Sequence, residues 1–382
     1  MGPLQGVRLI ELAGIGPGPV AGTLLSDMGA EVIRVDRVDH VAAGRRPMGG
    51  AFDGRGRRSV AVDLKQPEGV ETVLRLVAAA DGLFEGYRPG VAERLGLGPD
   101  VCLARNPRLV YGRMTGWGQD GPLAPVAGHD INYVALSGAL AHIGRAGQAP
   151  AVPLNLVGDY GGGALFLAFG MVCALLEAAR SGQGQVVDAA MIDGVSFLLG
   201  PLWSAYRSGF MTDERGTSML DSGAPFYDVY ETADGKWVSV GAIEPQFYAE
   251  LLARLGIDAD GLPHQMDRNG WPALKDRIAA VFRTRTRDEW CDALEGTDVC
   301  FAPVLTLGEA PTHPHLAARG AVLETDAGPQ PAPVPRFSRT TAEVQGPAVV
   351  PGRDTEAVLA DLGFGADEVA ALTSAGVVAQ AD

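Results

Sequence analysis

The chain reads as an α/β protein with a large domain built on a mostly parallel sheet and a smaller α+β domain, and three observations predict this. Strand-like apolar runs alternate with helix-like runs through the first half, the pattern of a parallel sheet covered by helices on both faces. At "PFYDVYETADGKWVSVGA" the texture changes to two aromatic and β-branched strands joined around Asp234-Gly235, a hairpin signal. At 382 residues the chain is also too long for a single ordinary core. The expected layout is a large domain over residues 1–187, connecting helices over 188–222, a small α+β domain over 223–320 and a return to the large domain over 321–382.

Taken in order, "VRLIEL" reads as a buried strand, "VAGTLLSDMG" as a helix closing on Gly29 and "EVIRVD" as a second strand, a Rossmann-like βαβ opening. The intervening "GIGPGPVAG" fails as a dinucleotide fingerprint. Pro19 stands where a third Gly is needed, and Pro17 and Pro19 remove two N–H groups that would cradle a pyrophosphate. "SVAVDLKQPEGVETVLRLVAAADGLFEGYRPG" repeats strand, helix, strand, and "RLVYGRMTGWGQDGP" is a strand running into a Gly-rich loop. The run "ALFLAFGMVCALLEAARSGQGQ" is a helix apolar on nearly every side, so deep burial is expected. From about Asp188 to Thr217 the pattern is helical and connecting. After the hairpin, "PQFYAELLARLG", "ALKDRIAAVFRTR" and "RDEWCDALEG" read as helices. The Pro-rich "TDAGPQPAPVPRFSR" is a linker, and two short capped helices, "DTEAVLADLG" and "ADEVAALTSAG", finish the chain.

The net charge of −15 argues against binding to nucleic acid or to an anionic membrane surface. No apolar run reaches membrane-spanning length without Gly or a charge, and the start has no leader pattern, so a cytoplasmic protein is expected. Cys102, Cys173, Cys291 and Cys300 are scattered, which suggests structural thiols and neither a disulfide framework nor a zinc site. One stretch departs from the acidic background. Arg34, Arg37, Arg45, Arg46, Arg55, Arg57 and Arg58 face only Glu31, Asp36, Asp39 and Asp53 in the same segment. Both a solvated arginine-rich loop and a site for an anionic ligand fit that surplus.

Three acid-base candidates share a local context, the start of a helix. His129 and Asp130 precede "INYVALSGAL", Asp159 in "NLVGDYGGG" precedes the apolar helix, and Glu244 stands directly before Pro245 and "QFYAELLARLG". Helix capping accounts best for Asp130, and for Asp159 capping and chemistry both stay open. Glu is a poor cap and His is not one, so capping explains Glu244 and His129 less well. The positive end of a helix disfavours imidazolium, which would keep His129 neutral as a base, and free N–H groups there suit a developing oxyanion. A neutral base beside oxyanion donors is what enolisation needs.

"ELAGIGPGP", "EVIRVDR", "VDLK", "EGYRPGVAERLGLGP", "MTGWGQDGP", "GHDINY", "LVGDYGGG", "VDAAM" and "GAIEPQFY" together resemble the α-methylacyl-CoA racemases, within the larger family III CoA-transferase group, from near residue 3 to about residue 340. The resemblance implies an interlocked homodimer acting on acyl-CoA thioesters, with CoA as part of the substrate and no metal or separate cofactor. It implies His129 and Asp159 as the two catalytic acid-bases, with Glu244 touching the histidine from the small domain of the partner. The amide of Asp130 would face the thioester oxygen, with Tyr133 in the same "GHDINY" segment. CoA would be held by Arg37, by the segment from Arg55 to Arg58, by Val62, Asp63, Leu64 and Lys65, by Gly86, Tyr87 and Arg88, and by Arg94. The "VDHVAAGRRPMGGAFDG" loop departs from the family pattern.

On this reading one of His129 and Asp159 removes the α-proton of a 2-methylacyl-CoA and the other returns a proton to the opposite face of the enolate. The pair holds one proton in total, so its titration belongs to the dyad. The rival within the same fold is CoA transfer with Asp159 as an acyl-accepting nucleophile, against which His129 and the acidic "GAIEP" both argue. A non-enzymatic CoA-binding regulator would leave His129, Asp159 and Glu244 without a task.

Overall fold

The computed structural model describes residues 2–44 and 50–381, so Arg45 and Arg46 of the cationic segment lie outside the described residues. The chain divides into two compact units, Met1–Ser137 with Leu154–Leu198 and Val322–Asp382, and Gly138–Pro153 with Leu199–Ala321.

The first unit is built on strands β1 (Arg8–Leu12), β2 (Glu31–Asp36), β3 (Arg57–Val62), β4 (Gly82–Glu85), β5 (Val110–Thr115) and β6 (Gln185–Ala190). They lie in the order β3-β2-β1-β4-β5-β6, and a short C-terminal strand, Val378–Ala379, is added antiparallel beside β3. All six long strands run parallel, with Ile10 opposite Ile33 and Leu83 opposite Tyr111. Such strands are buried on both sides and therefore read as continuous apolar runs. Ile10, Ile33 and Val60 point into one core with helix α2 (Pro67–Ala78) and the C-terminal residues Val358, Leu359 and Phe364. Leu9, Val32 and Val110 point into the other, with α1 (Pro17–Asp27) and the long apolar helix.

That long helix overturns one expectation. After α3 (Asp130–Leu136), a π-helical turn, Leu156–Ala164, leads directly into α4 (Leu165–Ser181). Leu167, Ala168, Met171, Ala174 and Ala178 are buried, and α4 packs on β5 and β6. Leu165, Phe169 and Leu176 are 54%, 69% and 53% exposed. The sheet covers one face only, so an apolar circumference leaves its other face open in a single chain. By length and composition the continuous helical stretch Leu156–Ser181 would also suffice to cross a membrane. Strand β6 runs on to Ala190, where a helical connection was expected from Asp188, because Ala190 still pairs with Thr115. Helix α5 (Met191–Leu198) follows at once.

The second unit holds β7 (Tyr227–Glu231) and β8 (Trp237–Gly241) as the expected hairpin, with Tyr230 opposite Val238 and Gly235 at φ 72° in the turn. Helices α6 (Pro245–Arg254), α7 (Trp271–Phe282) and α8 (Arg287–Leu294) follow, and β9 (Phe301–Pro303) adds a third antiparallel strand beside β8. Phe226, Tyr230, Val238, Trp271, Phe282 and Trp290 form its core.

Candidate active site

In a parallel sheet the loops that leave the carboxyl ends of the strands share one edge, and a crevice opens where neighbouring strands send their connections in opposite directions. Here that point lies between β1, whose chain continues to β2, and β4, whose chain continues to β5. Ile15–Pro17 after β1, Gly86–Pro89 after β4 and Met114–Trp117 at the end of β5 line a cavity of about 280 Å³, closed by Gly128, His129, Tyr133, Asp159 and Met191. Two of the three acid-base candidates, His129 and Asp159, therefore meet in one hollow although they stand 30 positions apart in the chain.

His129, not Asp130, occupies the cap position of α3, with extended backbone (φ −133°, ψ 172°). Its N–H donates to Asn132 Oδ1 at 3.0 Å, while its side chain is exposed and faces the cavity. Asp130 is the first residue inside the helix and is buried, so the capping explanation for it fails. Its Oδ2 accepts the backbone N–H of Asp159 at 2.7 Å. Tyr133, one turn on, is buried edge-on against Trp117 at 4.6 Å, and burial together with the nearby Asp159 pushes its hydroxyl up to about 12.

Asp159 was expected ahead of the apolar helix and is found inside the π-helical turn that begins it. Such turns are uncommon and concentrate at functional sites. Burial raises its carboxyl above the ordinary range and the neighbouring Asp130 adds to the rise, while a hydrogen bond from Asn155 and the proximity of His129 oppose it. "GIGPGP", which failed as a dinucleotide motif, has a task here. Gly16 stands at φ 72°, and a Cβ at that position would lie 3.4 Å from Asp159 Oδ2. Glu244 belongs to the second unit, exposed at the cap of α6 with no capping bond from its side chain.

The cationic segment is not what its local charge count suggested. Arg55 is 2% exposed, forked onto Asp27 at 3.2 and 2.5 Å, and donates to Pro331 O at 2.8 Å. A phosphate contact there does not fit this placement. Arg57 meets Glu11 at 2.7 Å, Arg34 meets Glu11 and Asp36, and Arg58 bridges Glu31 and Asp361 at 3.0 and 2.8 Å. Counting charges within one segment missed Glu11, Asp27 and Asp361, which the fold brings in from other elements. Arg37 is exposed after β2, paired with Asp39 at 2.7 Å and close enough to Tyr87 and Asp63 to feel both. Val62 ends β3 and is buried, Leu64 packs on the core, and Asp63 accepts the N–H of Lys65, whose side chain is exposed. Gly86, Tyr87 and Arg88 line the cavity, whereas Arg94 lies exposed at the end of the short helix Val91–Arg94. These positions follow β2, β3 and β4 along the same edge of the sheet as the cavity.

The model of CoA-transferase family III matches residues 4–355. The chain belongs to that family. Mouse α-methylacyl-CoA racemase is 47% identical over 98% of this chain and 97% of its own, and the human racemase is 44% identical over 97% and 96%. A CAIB/BAIF family protein from Brucella suis, known from its crystal structure, superposes with a TM-score of 0.80 at 27% identity, covering 94% of this chain and 99% of that one.

Within this family III chain, Ile15, Gly16, Trp117 and Met191 join the cavity although sequence reasoning gave them no role. They lie inside "GIGPGP", "MTGWG" and "VDAAM", runs quoted as motifs, and only the sheet edge shows what those runs surround. Among the described residues no group of three or more His, Cys, Asp or Glu is placed to hold a metal ion.

Proposed function

We propose that this family III protein is an α-methylacyl-CoA racemase that interconverts the (R) and (S) forms of 2-methylacyl-CoA thioesters by 1,1-proton transfer. The observation that carries the reading is the meeting of His129 and Asp159 in one cavity beside the Gly86–Arg88 loop. The high identity to two racemases along nearly the whole chain supports it.

In the proposed reaction, neutral His129 takes the α-proton from one enantiomer, the electron pair moves into the enolate, and protonated Asp159 returns a proton to the opposite face. The other enantiomer reverses the roles. The raised carboxyl of Asp159 suits this alternation, since a group that must both hold and release a proton works best when its affinity for the proton lies nearer the working pH. The backbone N–H of Asp130 is the proposed donor to the enolate oxygen, a group worth about 10²–10³ in rate in comparable sites. In a transferase Asp159 would instead attack the acyl carbon, and His129 at the cavity wall would have no part. Wild-type enzyme given one enantiomer of a 2-methylacyl-CoA in D₂O is expected to gain α-deuterium and to invert. With hydroxylamine added, release of an acyl hydroxamate from an anhydride formed at Asp159, without α-deuteration, overturns the reading.

The open face of α4, with Leu165, Phe169 and Leu176, supports a homodimer in which a second copy covers it. In that dimer Glu244 is proposed to reach the histidine of its partner and tune it without carrying a proton. Glu244→Gln is expected to lower turnover and shift its pH profile with the fold intact; a wild-type profile removes Glu244 from the site.

The CoA moiety is proposed to run from the cavity past Arg88 in its lining and along the sheet edge to Arg37. Charge removal at either residue, Arg37→Ala or Arg88→Ala, is expected to weaken CoA binding about tenfold in low salt, as loss of a charge-assisted contact does. The deficit should shrink as salt screens the wild-type contact. Calorimetric titration with CoA at two ionic strengths checks this, and unchanged affinity removes these residues from the CoA site.

A further inference from the structure

Behind the cavity wall, next to His129 and Asp159, lies a buried carboxyl group that the reaction does not use. Asp130 is 7% exposed, its Oδ2 accepts the Asp159 N–H at 2.7 Å, and its Oδ1 is buried without a hydrogen-bond partner among the described residues. The approach is close on the other side as well. A Cβ at Gly158 would stand 2.5 Å from that Oδ2 and 2.8 Å from its Cγ, so a glycine before Asp159 is what lets the two segments meet. One carboxyl group thus ties the first turn of α3, where His129 sits, to the π-helical turn that carries Asp159.

We propose that the side chain of Asp130 is a positioning residue for the racemase reaction, fixing the Asp159 backbone by its hydrogen bond and setting a second acidic group beside the Asp159 carboxyl. The inference rests on the racemase reading of the cavity and concerns the side chain, not the amide already proposed for the enolate. Around Asp159, Asp130, His129 and Tyr133 come from the start of α3, Arg88 lines the same cavity from the loop after β4, Asn155 donates from the segment that carries Asp159, and Gly16 and Pro17 at the start of α1 and Met191 at the start of α5 bring no charge. Burial is the largest cause of the raised Asp159 carboxyl and Asp130 is the next, while Asn155 and His129 oppose both. Removing the Asp130 charge therefore favours the Asp159 carboxylate, and the limb of the pH profile that reports its ionisation moves to lower pH.

Two variants separate the hydrogen bond from the charge. Asp130→Asn keeps an oxygen able to accept the Asp159 N–H but removes the charge. The acid limb of its kcat/KM is expected to shift to lower pH, with a smaller fall in plateau kcat than that of Asp130→Ala. Asp130→Ala loses both, and the same shift is expected with kcat lowered about 100-fold, the scale of a misplaced catalytic group. KM for the thioester should change much less. Wild-type protein measured alongside, by α-deuteration and inversion in D₂O, tests the racemase reading on its own. If the wild type inverts and Asp130→Asn keeps the wild-type acid limb, the charge has no role in the site and the proposal fails. Should Asp130→Ala not fold, Asp130→Asn alone decides.

Discussion

Asp159→Ala is expected to lower inversion of 2-methylacyl-CoA by at least about 10²–10⁴-fold, the usual contribution of a positioned acid-base, while leaving one-sided proton exchange intact. The enolate is planar, and each face is served by one group. Without Asp159 the enzyme still has His129, which can remove and return a proton on its own side. The variant should wash deuterium into the α-carbon of one enantiomer without producing the other. His129→Ala should show the mirror result, exchanging only the opposite enantiomer. Both residues are partly exposed at the cavity wall and neither belongs to a core cluster, so folding should survive each change. The measurement is deuterium content and enantiomeric composition followed together from each pure enantiomer. Continued racemisation by Asp159→Ala rules out the two-base mechanism.

Gly194→Ala is expected to be strongly damaging although Gly194 lies outside the cavity lining. A Cβ there would stand 1.9 Å from the carbonyl oxygen of Gly162 and 2.7 Å from its carbonyl carbon, both backbone atoms of the π-helical turn. No rotamer change relieves that clash, so α5 and the turn carrying Asp159 must separate. Overpacking by a few methylenes costs about 1–3 kcal/mol where side chains can yield, and here they cannot, so a loss of about 3 kcal/mol or more is expected. Urea unfolding with an unchanged m-value measures the loss, and any folded fraction should have lower kcat because Asp159 moves with its turn. Wild-type stability together with wild-type turnover contradicts the packing described here.

Much of this architecture was legible in the sequence because its signals are local. Parallel strands buried on both sides are continuous apolar runs, so β1 to β5 appear in "VRLIEL", "EVIRVD", "SVAVD", "GLFE" and "LVYGRMT" without reference to one another. The hairpin of the second unit is announced by Asp234-Gly235, since the turn requires that chemistry. His129, Asp159 and Glu244 stood out because their residue types fit the ends of helices poorly or ambiguously. The family resemblance then suggested roles for them.

Other features are properties of pairs of distant segments, and no window of sequence contains them. The strand order β3-β2-β1-β4-β5-β6 decides that the loops after β1 and β4 face each other, and with that where the cavity lies. Whether an arginine is free for a phosphate depends on carboxylates brought from elsewhere; Arg55 looks available until Asp27 folds against it. The apolar circumference of α4 says that the helix is to be covered, but not that the sheet covers only half of it. Asp130 looked like a cap because caps are recognised by type and position alone, whereas its partner is a backbone amide 29 residues away. Helices, strands and turns follow from short-range sterics and hydrophobic periodicity, which a sequence records directly. Charge pairing, close backbone approach and the shape of a cavity follow from distances between segments, and those distances exist only once the chain has folded.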